Sequence, residues 1–163
     1  MHPEHPSPTE SPVLLVEAGP DAVLDAARIW ARATACRDGL SAPPDAAEKA
    51  EGINNALATE GSQLIIARRA ADPLGFAVLV PQGAQIELLY LAVDPDAWSR
   101  GVAKRLLRHV EAVSEQQRLP LELWVIADNS RAIAAYESAG WTATSETKVR
   151  NAAGRIERRF VRH

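Results

Sequence analysis

Two apolar runs, at residues 85–93 and 121–127, flank a segment with strong helical periodicity. Val102, Leu106, Leu107, Val110 and Val113 recur along one face of that segment. Lys104, Arg105, Arg108, Glu111 and Glu115 fill the opposite face. Such an amphipathic stripe buries one side of a helix, from about Ser99 to Gln117, against other structure. Strand, helix, strand in that order implies a parallel crossover. The chain therefore needs a sheet with at least one parallel pair and a helix laid across it.

The rest of the pattern surrounds that unit with antiparallel structure. Residues 63–68, 74–80 and 85–93 are apolar runs joined by the turns Asp72-Pro73 and Pro81-Gln82-Gly83, the signature of a meander. Val13 to Glu17 is a short β-type run. Pro20-Asp21 opens one helical stretch, and Pro43-Pro44-Asp45 opens a second that runs to about Thr59. After the second apolar strand, Asp128-Asn129-Ser130 offers helix caps, and a short helix to about Ser138 ends at Gly140. Residues 141–149 and 155–162 read as a closing hairpin around 151–154. The fold class is α/β (α+β): a mixed, mostly antiparallel sheet flanked by helices.

Composition bounds the function. With 163 residues, one sizeable core is expected, over residues 13–163. The first dozen residues, rich in Pro and polar groups, read as a tail that carries His2 and His5. Lys and Arg total 18 against 21 Asp and Glu, a formal charge of −3. That balance argues against nucleic-acid partners, which need a basic surface. No apolar run reaches the roughly 18 residues of a membrane span. A single thiol, Cys36, cannot form an internal disulfide, so a reducing, cytoplasmic setting is expected. Cys36 itself is read as a packing or incidental residue, and His109 as a surface or packing residue of the long helix. No metal is expected.

The most informative stretch is the junction of strand and long helix. The turn Trp98, Ser99, Arg100, Gly101, Val102, Ala103 leads into Lys104. A helix start exposes unpaired N–H groups and the positive end of the dipole. Gly101 and Ala103 leave room for a bulky anion to reach the backbone, and Arg100 and Lys104 add positive charge. Neither GxGxxG nor GxxxxGK[ST] is present, which leaves the nucleotide-binding classes built on those loops without support.

This junction resembles the main cofactor motif of the GNAT superfamily of acetyltransferases, roughly [QR]-x-x-G-x-[GA] after a strand ending V-x-P. Val93, Pro95, Gly101 and Ala103 match it. Asn129, Tyr136, Gly140 and Trp141 match the family's downstream signature, and the element order agrees. Two positions depart: Trp98 stands where Gln or Arg is usual, and Ser99 where Gly is common.

The resemblance implies an enzyme, an acetyl-CoA-dependent N-acetyltransferase. Acetyl-CoA would be the acyl donor, and its pyrophosphate would sit on the backbone of residues 98–103. Trp98 would supply its amide, and its ring could cover the phosphates. The pantetheine arm would pair with the backbone of Leu91, Ala92 and Val93, and an N–H near Leu91 or Ala92 would stabilise the oxyanion. Glu87, six residues before Val93, would be the general base. Glu122 is a weaker candidate, and Trp124 stands at a base position of other relatives. Tyr136 would act at the departing thiolate, and Asn129 would bond the arm. The partner would be a primary amine of a small molecule, peptide or protein, attacking directly in a ternary complex. Its pocket would lie near residues 30–51 and 148–159. A non-catalytic acyl-CoA-binding module on the same fold is the competing expectation. A homodimer is plausible, with the C-terminal strand as a pairing edge.

Overall fold

A computed structural model describes residues 12–149 and 154–163. The tail with His2 and His5, and most of the last hairpin turn, lie outside the described residues. The elements run β1 (Val13–Ala18), α1 (Val23–Asp38), α2 (Ala46–Leu57), β2 (Gln63–Arg69), β3 (Asp72–Gln82), β4 (Gln85–Val93), α3 (Val102–Gln117), β5 (Leu121–Ile126), α4 (Ser130–Ser138), β6 (Thr142–Val149) and β7 (Ile156–Arg162). The seven strands form one sheet in the order β1-β2-β3-β4-β5-β7-β6. Among the described strands only β4 and β5 are parallel neighbours. The crossover expected from the sequence connects that pair.

Alternation along the strands divides the core into two layers. On one face Ile65, Ala77, Leu79, Ile86, Leu88, Leu121 and Leu123 pack with Val102, Leu106, Leu107 and Val110 of α3. On the other, Leu64, Ile66, Phe76 and Val78 pack with Ala26, Ala27 and Ile29 of α1 and Ile53 of α2. Local chemistry sets the helix ends. The Asp45 side chain accepts from Ala47 N–H at 2.9 Å to start α2, and Gly39 at φ +66° ends α1.

Several sequence-based boundaries move. Helix α3 begins at Val102, not Ser99, because Ser99 and Gly101 take φ +63° and +78°, outside the helical region. Asp72 and Pro73 belong to β3, paired with Arg69 and Arg68; the turn is made at Ala70-Ala71, with Ala70 at φ +53°. The C-terminal strand β7 is not an edge, since it pairs with both β5 and β6. The sheet ends at β1 and β6, so strand-edge pairing through β7 is closed off. No helix of the described residues is long and apolar enough to cross a membrane.

The tightest approach between sheet and crossover helix is at Gly75 of β3. A Cβ there would lie 3.0 Å from the Ala92 carbonyl, 3.1 Å from Leu106 Cδ1 and 3.1 Å from Val102 Cγ1. Two of these neighbours are in the fully packed layer under α3, and one is backbone. Gly75→Ala should cost about 1–3 kcal/mol of stability, the usual cost of overpacking a tight core. Urea unfolding monitored by circular dichroism reads it as a lower midpoint with unchanged slope.

Candidate active site

Strands β4 and β5 pair in register only at Ile86 with Leu121 and Glu87 with Glu122. Beyond those pairs they part. A bulge drives the change: Leu79 faces Leu88 and Val78 faces Tyr90, so Leu89 is an extra residue in β4. The split leaves backbone groups of β4 without a strand partner. Asp94 N–H donates to Leu74 O at 2.8 Å. Antiparallel alternation then turns Ala92 toward β3, and turns Leu91 and Val93 toward the split. Val93 O is taken by the Trp98 indole N–H at 2.9 Å. The Leu91 N–H, the Leu91 carbonyl and the Val93 N–H remain directed at the gap. Ala92 therefore contributes its side chain to the cavity wall, not a backbone pairing site.

The split opens into a cavity of about 640 Å³, within the range of cofactor-sized sites. The β4 end Leu91–Val93 forms one wall. Trp98, Ser99, Gly101, Val102, Ala103 and Lys104 form the second, and Asn129 and Tyr136 of the α4 region the third. Six residues of the turn and helix start are thus brought together with β4, Asn129 and Tyr136. Arg100 is exposed and lies outside the wall.

The turn is a concave run of backbone. Ser99 and Gly101 are both left-handed, one residue apart, a geometry that directs successive N–H groups inward. Ser99 pays a steric cost for φ +63° that Gly would avoid. The first N–H groups of α3, on Val102, Ala103 and Lys104, have no carbonyl four residues back within the helix. Trp98 is different. Its N–H donates to Pro95 O at 3.2 Å, closing a 3₁₀ turn, so its amide is not a donor for a ligand. Its ring is what faces the cavity, with the Arg131 guanidinium 4.2 Å from the ring centroid.

Arg131 was missed by sequence reasoning. The available signal was its position: a cation in the first turn of α4 opposes the helix dipole, and such a residue is better explained by a partner anion. Cys36 is not a packing residue: it is exposed and lines the cavity with Trp30, Thr34 and Arg37 of α1.

Asn129 caps α4, its side-chain oxygen accepting from Ala132 N–H at 3.3 Å, while also lining the cavity. Tyr136 is buried, its ring 6.0 Å from Trp141 and 6.4 Å from Phe160. Burial pushes its hydroxyl far above the usual phenol range, so it stays protonated. His109 lies on α3 away from the cavity wall.

Glu87 and Glu122 sit where the split closes, on the face toward α1 and α2, opposite the α3 layer. Glu122 is held tightly. Arg159 Nε donates to it at 3.0 Å, Trp124 Nε1 at 3.0 Å, and the Gln85 amide also donates. These bonds fix the Glu122 side chain, 8% exposed, and occupy its oxygens. Glu87 is the looser carboxylate. Desolvation raises its pKa first, and the charge of Glu122 adds to that; Lys148 and a bond from Gln82 oppose it. Glu87 is outside the main cavity wall, at the closed end of the split.

A second, smaller cavity of about 100 Å³ joins the split on the α1 side. Trp30, Leu89, Tyr90 and Trp124 line it. Trp30 stacks on Tyr90 at 4.3 Å, and Lys49 lies 4.4 Å over Trp30. Asp38 accepts from Arg37 at 3.0 Å and pairs with Arg155 at 3.5 Å, tying the end of α1 to the start of β7. The Arg37 hydrogen bonds are the main cause that lowers the Asp38 pKa.

The Acetyltransferase (GNAT) family pattern matches residues 25–141. The chain is 37% identical over 82 residues to mycothiol acetyltransferase of Clavibacter sepedonicus, covering 49% of this chain. It spans only 27% of that relative's length. Among solved structures, the ribosomal-protein-S18-alanine N-acetyltransferase of Escherichia coli superposes with a TM-score of 0.72 at 22% identity, over 92% of each chain. The protein yncA of Salmonella typhimurium, solved with its cofactor acetyl-CoA, gives 0.68 at 14% identity over 91% of each chain. With the family pattern covering most of its length, the chain belongs to the GNAT acetyltransferase family.

Proposed function

We propose that the protein is an N-acetyltransferase that moves the acetyl group of acetyl-CoA to a primary amine by direct attack in a ternary complex. The observation that carries this reading is the divergence of β4 and β5 after Glu87 and Glu122. It leaves the Leu91 and Val93 N–H groups facing a cavity that runs to the left-handed turn at Ser99 and Gly101. An extended arm can pair with that edge as an added strand. Two linked phosphates fit the N–H groups of residues 99–104, with Lys104 and Arg131 as counter-charges. The acetyl group then lies near Leu91, whose N–H would receive the oxyanion. Glu87 is the base, Tyr136 the hydrogen-bond donor to the leaving sulfur, and Asn129 a bond to the arm.

The acceptor would enter from the α1 and α2 side, past Trp30, Tyr90 and Trp124. An alkylamine with pKa near ~10.4 arrives mostly protonated, and a half-buried carboxylate of raised pKa is suited to take that proton. Release of free CoA with a panel of amines, including amino acids, peptides and polyamines, tests the reading. Cofactor binding by calorimetry with no turnover of any amine would leave only a binding module. No heat at millimolar CoA would remove the reading altogether.

Gly101 isolates the phosphate site. A Cβ there meets no atom within 4 Å, so space does not require the glycine. Its φ of +78° does, at about 1–2 kcal/mol for an L residue. Gly101→Ala should lose that much stability and raise KM for acetyl-CoA several-fold, with kcat little changed. Steady-state kinetics at varied acetyl-CoA check this; a fall confined to kcat would contradict it.

A further inference from the structure

Lys148, on the edge strand β6, is exposed, and its ammonium lies over the Trp124 ring of β5. Its register partner on β7 is Glu157, which in turn faces Ile126 of β5. The side chain therefore starts on the acceptor face and reaches inward across β7. Its Nζ lies 4.1 Å from the centroid of the Trp124 ring. Trp124 walls the small cavity in the split, and its indole bonds Glu122, which pairs in register with Glu87. The Lys148 charge also acts directly on Glu87. A primary alkylamine of the protein's own chain thus rests against the wall of the acceptor cavity, within the field of the carboxylate assigned as base.

We propose that Lys148 is an internal acceptor, and that the enzyme acetylates its own Lys148 Nζ from acetyl-CoA. This rests on the reading of the cavity as an acetyl-CoA site with an amine acceptor. Glu87 takes one proton from the ammonium. The neutral amine attacks the thioester carbonyl, the C–N bond forms and the C–S bond breaks. The nitrogen sheds its second proton, and CoA leaves as a thiolate that picks up one proton to become the thiol. The products are acetyl-lysine, CoA and one released proton. Acetylation removes the charge that holds the side chain on Trp124, so the modified lysine no longer occupies that ring.

The chain supplies its own controls, because it has three lysines: Lys49, Lys104 and Lys148. Lys49 also rests on an aromatic wall, Trp30, but from α2, and Lys104 lies at the phosphate end. The full chain is incubated with acetyl-CoA alone and followed by intact mass and peptide mapping. The expected result is one added acetyl group, at Lys148, at least about ten-fold faster than at Lys49 or Lys104 because the attack is intramolecular. Its half-time should not change on dilution, K148R should abolish it, and Glu87→Gln should slow it. Equal labelling of all three lysines, or no effect of Glu87→Gln, marks simple chemical acetylation and overturns the inference. A rate that rises with protein concentration marks transfer between molecules and does the same. Unlabelled Lys148 alongside turnover of free amines overturns this inference alone. Unlabelled Lys148 with no amine turned over, despite CoA binding, overturns the underlying reading as well.

Discussion

Glu87→Gln is expected to lower kcat/KM about 10²–10⁴-fold, the range for loss of a positioned general base, while raising stability at neutral pH. The two effects have one cause. Burial and the neighbouring Glu122 charge raise the Glu87 pKa above its ordinary 4.5. A carboxyl with a raised pKa binds its proton more tightly in the folded than in the unfolded chain. Its ionisation therefore costs stability, and that cost accumulates as pH climbs from the unfolded to the folded pKa. Above that window the native protein carries a disfavoured charge, which Gln removes. Gln is also close to isosteric and can keep the Gln82 contact.

The pH profile separates the catalytic part. Because the acceptor arrives as the ammonium and Glu87 takes its proton, log(kcat/KM) should rise with a slope of one below the Glu87 pKa. Above it, the profile is flat until the amine itself titrates near ~10.4. In the variant, which has no carboxylate to take that proton, the slope is one up to the amine's own pKa. Thermal melts should show the variant more stable at pH 7 and equal to wild type near pH 4. Lower activity together with lower stability would mean that Glu87 supports the fold instead of the reaction.

Much of this was legible in the sequence, for reasons that differ by feature. The stripe Val102, Leu106, Leu107, Val110 and Val113 could be read because helix burial is periodic and local. The two motifs around Gly101 and Tyr136 could be read because their spacing fixes one turn and one helix. The bulge at Leu89 could not. Leu88, Leu89 and Tyr90 are all suitable strand residues, and which one is extra depends on the register with β3. The same holds for the order of β6 and β7, since both hairpin strands follow α4 and either could meet β5. The Ser99 conformation was hidden because serine does not announce a positive φ as glycine does. The competing roles of Glu87 and Glu122 were also hidden. Arg159 is 37 residues from Glu122 in sequence, and only the β5–β7 pairing makes that arginine its partner.

Tyr136→Phe should lower kcat about 10²-fold with KM for acetyl-CoA nearly unchanged. The resemblance suggests a tyrosine that protonates the departing thiolate, and the environment argues for a different role. A phenol at its ordinary ~10 is already a weaker acid than a thiol at ~8.5. Burial raises Tyr136 further, so full transfer to sulfur runs more steeply uphill. The hydroxyl can still donate a hydrogen bond. That bond is stronger to a thiolate than to a neutral thioester sulfur, so it favours the transition state over the bound donor. Loss of one such donor in a water-poor site typically costs 10²–10³-fold. The fold should survive, because Phe keeps the ring contacts with Trp141 and Phe160. The readout is the alkaline side of the kcat profile. Donating the bond requires the protonated phenol, and burial holds its ionisation far above the usual phenol range, so the wild type should show no falling limb from Tyr136. Phe should then lower the whole curve in parallel. A wild-type limb that vanishes in the Phe variant would overturn the inference that Tyr136 stays protonated throughout.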